Sequence, residues 1–377
     1  MDFELPPEAQ ECRDAVRSFL DAHDPATMAP ADWFRVLAEH GYAAPHWPRP
    51  WGLDASSLEQ LVIDQELRAA GAPRPVDPIG IGWAGPTLLV AGTPEQRARY
   101  FPGILDGSER WCQLFSEPDA GSDLAALSTR AVRDGDEYVV NGRKIWNTFA
   151  HEAKYGILLA RTDPTAEQHR GISYFVLDME TPGITVRPIK QMYGMADFNE
   201  VFLDDVRVPA ECLVGTEHDG WRLARVTLAN ERVGLSDEGA LWGSGPTAND
   251  LLEIVRERGG TQDPVTRQRL VRLYVESEVL RLIRLRTVAA QVLGLEPGPE
   301  ASIRKALADR HGQHVFAMAV ELAGAHGMLA DRGPLGSNDP IWPLGFLFSP
   351  ALTIGGGTSE VQRNILGERV LGLPREV

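Results

Sequence analysis

Gln113-Leu114-Phe115-Ser116-Glu117-Pro118-Asp119-Ala120-Gly121-Ser122-Asp123 is the stretch on which the reading of this chain turns. A proline followed by Ala-Gly-Ser makes a tight loop. Its backbone N–H groups and hydroxyls leave two readings open: a solvent turn between strands, or the lining of a site for a polar ligand. A second segment, Asn141-Gly142-Arg143-Lys144-Ile145-Trp146-Asn147-Thr148, sets Trp146 and Thr148 two apart. In an extended segment that spacing turns both to one side. An indole beside a hydroxyl suits a flat heteroaromatic ligand, whereas a lone tryptophan in a β domain is ordinarily core.

Outward from these segments the pattern changes twice. Toward the N-terminus, Cys12, Val16, Phe19 and Leu20 fall at helical spacing after Pro6-Pro7. Leu58, Leu61, Val62 and Leu67 mark another helix, opened by Ser56 or Ser57 and closed by Gly71. Arg130 to Arg133 and Tyr138 to Val140 flank Asp134-Gly135, which predicts a hairpin. Tyr155 to Arg161, Ile172 to Leu177, Ile184 to Ile189 and Val201 to Val208 predict further strands. Beyond about residue 217, Leu270, Leu273, Val279, Leu282 and Ile283 predict a long helix. Ile303, Leu307, Val315, Met318, Ala319 and Leu322 predict a second, with Pro297-Gly298-Pro299 between them. Strands confined to one central block argue against a doubly wound sheet.

The chain has 377 residues, 53 acidic against 37 basic, and a formal charge of −16. Such a polyanion repels nucleic acid and anionic membrane surfaces, and no basic run overrides it. The expectations are therefore no nucleic acid and no membrane. Met1-Asp2-Phe3-Glu4 lacks a basic signal-peptide start, and no apolar run approaches the roughly 20 residues a bilayer demands. Cys12, Cys112 and Cys212 lie far apart without metal-ligand spacing, so no metal site and a reducing cytoplasm are expected.

The two segments, their spacing and the helix–β–helix plan resemble the acyl-CoA dehydrogenase family. The resemblance extends over nearly the whole chain. It includes Trp47-Pro48 with the glutamate-containing helix after it, Asp204-Asp205-Val206-Arg207-Val208-Pro209, Gly220-Trp221, and Gly357-Thr358-Ser359-Glu360-Val361-Gln362-Arg363-Asn364-Ile365-Leu366. It implies an α+β fold with an N-terminal helical domain (1–108), a middle antiparallel β domain (109–216) carrying the flavin and substrate loops, and a C-terminal helical bundle (217–377). It also implies an FAD-dependent α,β-desaturation of an acyl-CoA thioester, with an electron-transfer flavoprotein as the acceptor. In such enzymes Gln113, Phe115 and Ser116 would lie along the flavin, and Gly121 and Ser122 would approach the phosphate and the CoA side. Trp146 would cover one flavin face and Thr148 would bond near the N5 edge. Thr358 and Glu360 would lie near the adenosine, and Arg232 beside the substrate.

Removing a proton alpha to a thioester needs a nearby carboxylate, partly desolvated so that its pKa rises toward neutrality. In many relatives that Glu stands just before Gly-Thr-Ser, but here the position is Gly356. Others carry it on an earlier helix immediately before an Arg, and Glu231-Arg232 matches that pattern. Glu231 is thus either the base or a solvated helix charge paired with a neighbour; relatives with the base on this helix often take branched or bulky acyl groups. A further departure touches assembly. Family homotetramers usually carry Arg-x-x-Phe-Gly and Gln-x-x-Gly-Gly-x-Gly segments that reach a neighbour's FAD. This chain has Arg256-Glu257-Arg258-Gly259-Gly260, and Glu321 where Gln is expected, ahead of Gly324 and Gly327. A carboxylate beside a pyrophosphate repels it by about 1–4 kcal/mol at 4 Å. Both features resemble actinobacterial subunits that pair with a second dehydrogenase-like chain to act on steroid side-chain CoA thioesters. A homotetramer or homodimer remains the other option. The rival functions are an oxygen-using flavin enzyme of the same fold, a monooxygenase or acyl-CoA oxidase, and a non-catalytic partner subunit.

Overall fold

The structure, a computed structural model, describes residues 7–75, 77–234, 240–241, 245–292, 301–329 and 340–375. Residues 1–189 with 196–227 form one compact unit, and residues 190–195 with 228–377 form another. Pro297-Gly298-Pro299 lies outside the described residues.

The first unit opens with helices α1 (Pro7–Ala22), α2 (Pro30–Glu39), α3 (Ser57–Ala69), α4 (Gly85–Ala91) and α5 (Pro94–Leu105). Their starts obey local chemistry. Ser56 accepts from the Glu59 N–H while the Glu59 carboxylate accepts from the Ser56 N–H, a reciprocal cap that fixes the beginning of α3. Thr93 and Gln96 do the same for α5, with Pro94 in its first turn. Gly71, at φ +64°, takes the left-handed conformation just after α3 ends.

Eight strands follow: β1 (Trp111–Leu114), β2 (Arg130–Asp134), β3 (Glu137–Thr148), β4 (Tyr155–Arg161), β5 (Ile172–Asp178), β6 (Ile184–Ile189), β7 (Phe198–Pro209) and β8 (Leu213–Val214). They form a single sheet in the order β6-β7-β3-β2-β4-β5-β8, with β1 added alongside β4. The sheet is mixed. Most ladders are antiparallel, as the hairpin signals predict, but β1 and β2 both meet β4 in parallel. The reason lies in β1, a four-residue apolar strand too short to show a period. The hairpin closes over Gly135 (φ +65°), with Asp134 opposite Glu137. Strands β4 and β5 are buried at nearly every position. Their sequences accordingly read as continuous apolar runs and not as alternation. β6 and β7 alternate, as strands with one wet face do.

Helix α6 (Gly220–Gly234) leads from the first unit into the second. The second unit contains α7 (Ala248–Glu257), α8 (Pro264–Val292), α9 (Ala301–Ala323), α10 (Ile341–Phe348) and α11 (Ser359–Ile365). Leu270 and Leu273 of α8 pack with Val315, Phe316 and Met318 of α9. Val279 and Leu282, predicted to share that stripe, are exposed instead, as are Val271, Tyr274, Val275 and Leu285. Helix α8 therefore carries two apolar faces, only one of which is covered among the described residues.

Inside α9, Lys305 and Asp309 form a fully buried ion pair. The Lys305 ammonium donates to both Asp309 oxygens at 2.9 and 2.7 Å and to the Leu352 carbonyl at 3.3 Å. Lys305→Met, which strands the carboxylate, is expected to cost about 3–5 kcal/mol at pH 7. Burial pushes the Asp309 carboxyl up to about 6 against the opposing pull of Lys305. Because the native state then holds a proton that the unfolded chain (near 3.8) has released, stability falls as pH rises from about 4 to 6. Chemical denaturation should show a smaller loss for Lys305→Met at pH 5 than at pH 7, because a protonated Asp309 carries no charge to strand.

Candidate active site

The first-unit candidates gather around β1 and β3. Gln113 is half-buried in β1, and its carbonyl accepts from the Asn147 side-chain amide at 2.7 Å. Ser116, also half-buried, accepts the Ile145 N–H at 3.0 Å through its carbonyl. Phe115 is packed inside, its ring edge-on to Tyr174 at 5.9 Å. The expected placement of that ring along a ligand gives way to a core role, leaving the main chain as what Phe115 can offer. Gly121 and Ser122 lie exposed in the turn that follows, and a Cβ on Gly121 would meet nothing within 4 Å.

Trp146 does not sit as strict alternation predicts. The ladder between β3 and β7 slips between Ile145 and Asn147, and Trp146 falls in the slip with φ +63°. A bulge of this kind re-aims the side chain it contains, and a bulky residue at positive φ is strained. The indole is 57% exposed, edge-on to Phe198 at 6.1 Å, so the alternative of an ordinary core tryptophan falls away. Thr148, at the end of β3, is half-buried. Between them Asn147 is 1% exposed, and its Oδ1 has no hydrogen-bond partner among the described residues.

In the second unit Thr358 caps α11, its hydroxyl accepting from the Val361 N–H at 3.3 Å. Glu360 is exposed, 3.7 Å from Arg363. Thr358 and Glu360 border a cavity of about 280 Å³ shared with Arg310, Gln313 and Arg363. Next to it Gln362 is fully buried; its amide donates to the Gly356 and Gly357 carbonyls while its Oε1 stays unpartnered. Gly356 and Gly357 have φ of +67° and +91°. An L side chain is strained in that conformation, so the local backbone suits glycine where many relatives hold their base.

Glu231 is 6% exposed. Leu223, Ala224, Thr227 and Glu231 follow one another at i, i+1, i+4 and i+8, and all four are buried. The carboxylate therefore belongs to the sheltered stripe of α6 and is not solvated. The Arg232 side chain lies outside the described residues.

Family profiles for the acyl-CoA dehydrogenase N-terminal, middle and C-terminal domains match residues 6–108, 112–206 and 218–371. The chain belongs to the acyl-CoA dehydrogenase family. Among its relatives, the "Acyl-CoA dehydrogenase FadE34" of Mycobacterium tuberculosis is 45% identical over 90% of this chain; the match covers 46% of that protein, so this chain spans about half its length. Two solved structures match along their full length and that of this chain. The "Tcur3481-Tcur3483 steroid ACAD" has 31% identity and a TM-score of 0.82, and the ChsE4-ChsE5 complex from M. tuberculosis has 32% and 0.80.

Acyl-CoA dehydrogenases are FAD-dependent oxidoreductases, and the residues described above fit that cofactor. An exposed indole and half-buried neutral hydroxyls suit a flat isoalloxazine, to which they add no competing charge. The unpartnered Asn147 Oδ1 lies beside them. Within the second unit taken by itself, Arg310 and Arg363 bring positive charge to the cavity at Thr358, which suits an anionic group. Lys144, Glu117 and Asn147 escaped the sequence reading of the site. The available signal was a lysine placed, by strand alternation, where a core residue belongs. No described helix is long and apolar enough to cross a membrane.

Proposed function

We propose that this acyl-CoA dehydrogenase desaturates a bulky or branched acyl-CoA thioester, with Glu231 taking the α-proton. What carries the reading is a single buried carboxylate on α6 combined with a left-handed glycine at residue 356. Bound FAD supplies the two-electron acceptor for the β-hydride through its N5. Trp146 covers one face of the ring system, Thr148 bonds at its edge, and Gln113, Phe115 and Ser116 contribute main-chain and hydroxyl contacts. Gly121 and Ser122 serve the phosphate and CoA side, Thr358 and Glu360 the adenosine end, and Arg232 the substrate. Burial of Glu231 excludes water that would otherwise compete for the proton. The boundaries 1–108, 109–216 and 217–377 serve as the domain assignment.

The substrate class draws support from the word steroid in the name of one full-length structural neighbour. The position of the base at 231 is a second support. The family resemblance supports an electron-transfer flavoprotein as acceptor, and the scattered cysteines support a cytoplasmic location. The deciding experiment is an anaerobic titration of the purified protein with acyl-CoA thioesters from short straight-chain to steroid. Bleaching of the flavin absorbance by the bulky members alone is the expected result; bleaching confined to short straight chains overturns the substrate reading. Rapid reoxidation by air with no other acceptor would mark the oxygen-using alternative.

Thr148→Ala tests the flavin edge. Losing one hydroxyl bond is expected to slow flavin reduction about 2- to 10-fold. The β3–β7 ladder, made by backbone atoms, should persist, so the melting temperature should stay within a few degrees of wild type.

A further inference from the structure

Glu117 and Lys144 belong to the two segments that define the flavin site, yet neither reaches a ligand: they are 5% and 0% exposed. They form a buried ion pair at 2.8 Å. The Lys144 ammonium also donates to the Phe115 carbonyl at 3.0 Å. The Glu117 carboxylate accepts from the Ser128 N–H and hydroxyl, both at 2.7 Å, and from the Thr129 N–H at 2.9 Å. Burial pushes the Glu117 carboxyl up, but Lys144 and these donors outweigh it and hold it at about 2. Burial brings Lys144 down to about 8. Both groups are therefore charged at neutral pH.

Desolvating two charges is expensive, and a pair of apolar residues would fill the same space at lower cost. A reason to keep the pair lies in what surrounds Trp146. Lys144 and Ile145 precede it, tied to the carbonyls of Phe115 and Ser116. Asn147 follows it, donating to the Gln113 carbonyl at 2.7 Å, while its own carbonyl accepts from the Asn199 amide at 2.9 Å. Before the bulge the Ile145 N–H and the Lys144 side chain, and after it the Asn147 side chain, are thus fastened to the segment 113–117, while the Asn147 carbonyl is held by Asn199. Held this way, a strained residue persists because its neighbours over-determine it.

We propose that Glu117, Lys144 and Asn147 are positioning residues that clamp the Trp146 bulge onto the 113–117 loop, so that the indole is presented in one fixed orientation. The consequence for cofactor affinity rests on the flavin reading; the clamp itself does not. Three proteins test it: wild type, Lys144→Met and Asn147→Ala, each compared with its Trp146→Phe counterpart to isolate the signal of Trp146. Acrylamide quenching of that signal in the FAD-free protein reports the indole's freedom, FAD titration reports affinity, and melting temperature reports stability. Both variants are expected to change Trp146 quenching at least about twofold and to weaken FAD binding about tenfold or more. Lys305→Met, destabilised within the other unit, should leave Trp146 quenching unchanged. Unchanged Trp146 quenching and FAD affinity in folded Lys144→Met overturns the proposal. Asn147→Ala leaves the ion pair intact and decides the matter by the same criteria should Lys144→Met fail to fold. Absence of FAD binding by wild type both alone and in assembly with a second dehydrogenase-like chain would refute the flavin reading, and Trp146 quenching would still decide the clamp.

Discussion

Glu231→Gln is expected to slow substrate-driven flavin reduction by about 10²–10⁴-fold, and by more if no water can substitute for the lost base. The change keeps size and polarity, so the helix, the FAD content and acyl-CoA binding should remain. The loss should appear in the reduction rate with little change in substrate affinity, as for a group that acts in the transition state. Stopped-flow mixing of the FAD-loaded variant with the acyl-CoA that bleaches wild type is the direct measurement. Reduction at the wild-type rate would assign the proton to another residue. A second arm tests the empty position. Gly356→Glu placed in the Glu231→Gln background should not restore the rate, because residue 356 sits at φ +67° and a glutamate there is strained. Restored turnover would show that the backbone adapts and that the two base positions are interchangeable.

The sequence exposes this fold wherever period and turn chemistry agree. Leu58 to Leu67 with Ser56 ahead and Gly71 behind gives α3 nearly to the residue, because the cap and the stop are both local. The Asp134-Gly135 hairpin is legible for the same reason. Strand β1 was not, since Trp111–Leu114 has no room for alternation and its partner β4 is distant in sequence and parallel. The site divides along the same line. Trp146 stands out by type, but its exposure depends on a bulge, and the residues holding that bulge lie on β1, on the segment just after it, on β3 and on β7. Glu231 became legible through the glycine at 356. Its burial follows from how α6 is rotated, which a Glu-Arg pair alone does not specify. On α8 the period places Val279 and Leu282 in the core stripe, while the structure exposes them. Periodicity identifies an apolar face without saying what covers it.

That uncovered face leads to the last expected result: the chain alone should bind FAD poorly and should recover it on assembly with a second dehydrogenase-like chain. Val271, Tyr274, Val275, Leu282 and Leu285 are exposed along α8 among the described residues, and subunit packing would cover them. The Glu321 argument, however, changes. Arg269 forks onto the Glu321 carboxylate, one of its two bonds measuring 2.6 Å, and holds that carboxyl below its ordinary range. Its negative charge is largely answered within the chain, so repulsion of a pyrophosphate is weaker than the bare substitution suggests. What remains is the loss of donors: neither Glu321 nor Gly259-Gly260 can supply the amide or the aromatic packing that a neighbour provides in family homotetramers. A second chain bearing those groups would complete the cofactor site that this chain begins with its 113–122 loop, Trp146 and Thr148. Native mass measurement with flavin counting separates the two assemblies. A mixed assembly should hold about half an FAD per chain, and this chain alone should lose its flavin on gel filtration. A pure homotetramer with one FAD per chain and full activity would instead mean that the Arg269–Glu321 pair, or another basic group, makes the site self-sufficient.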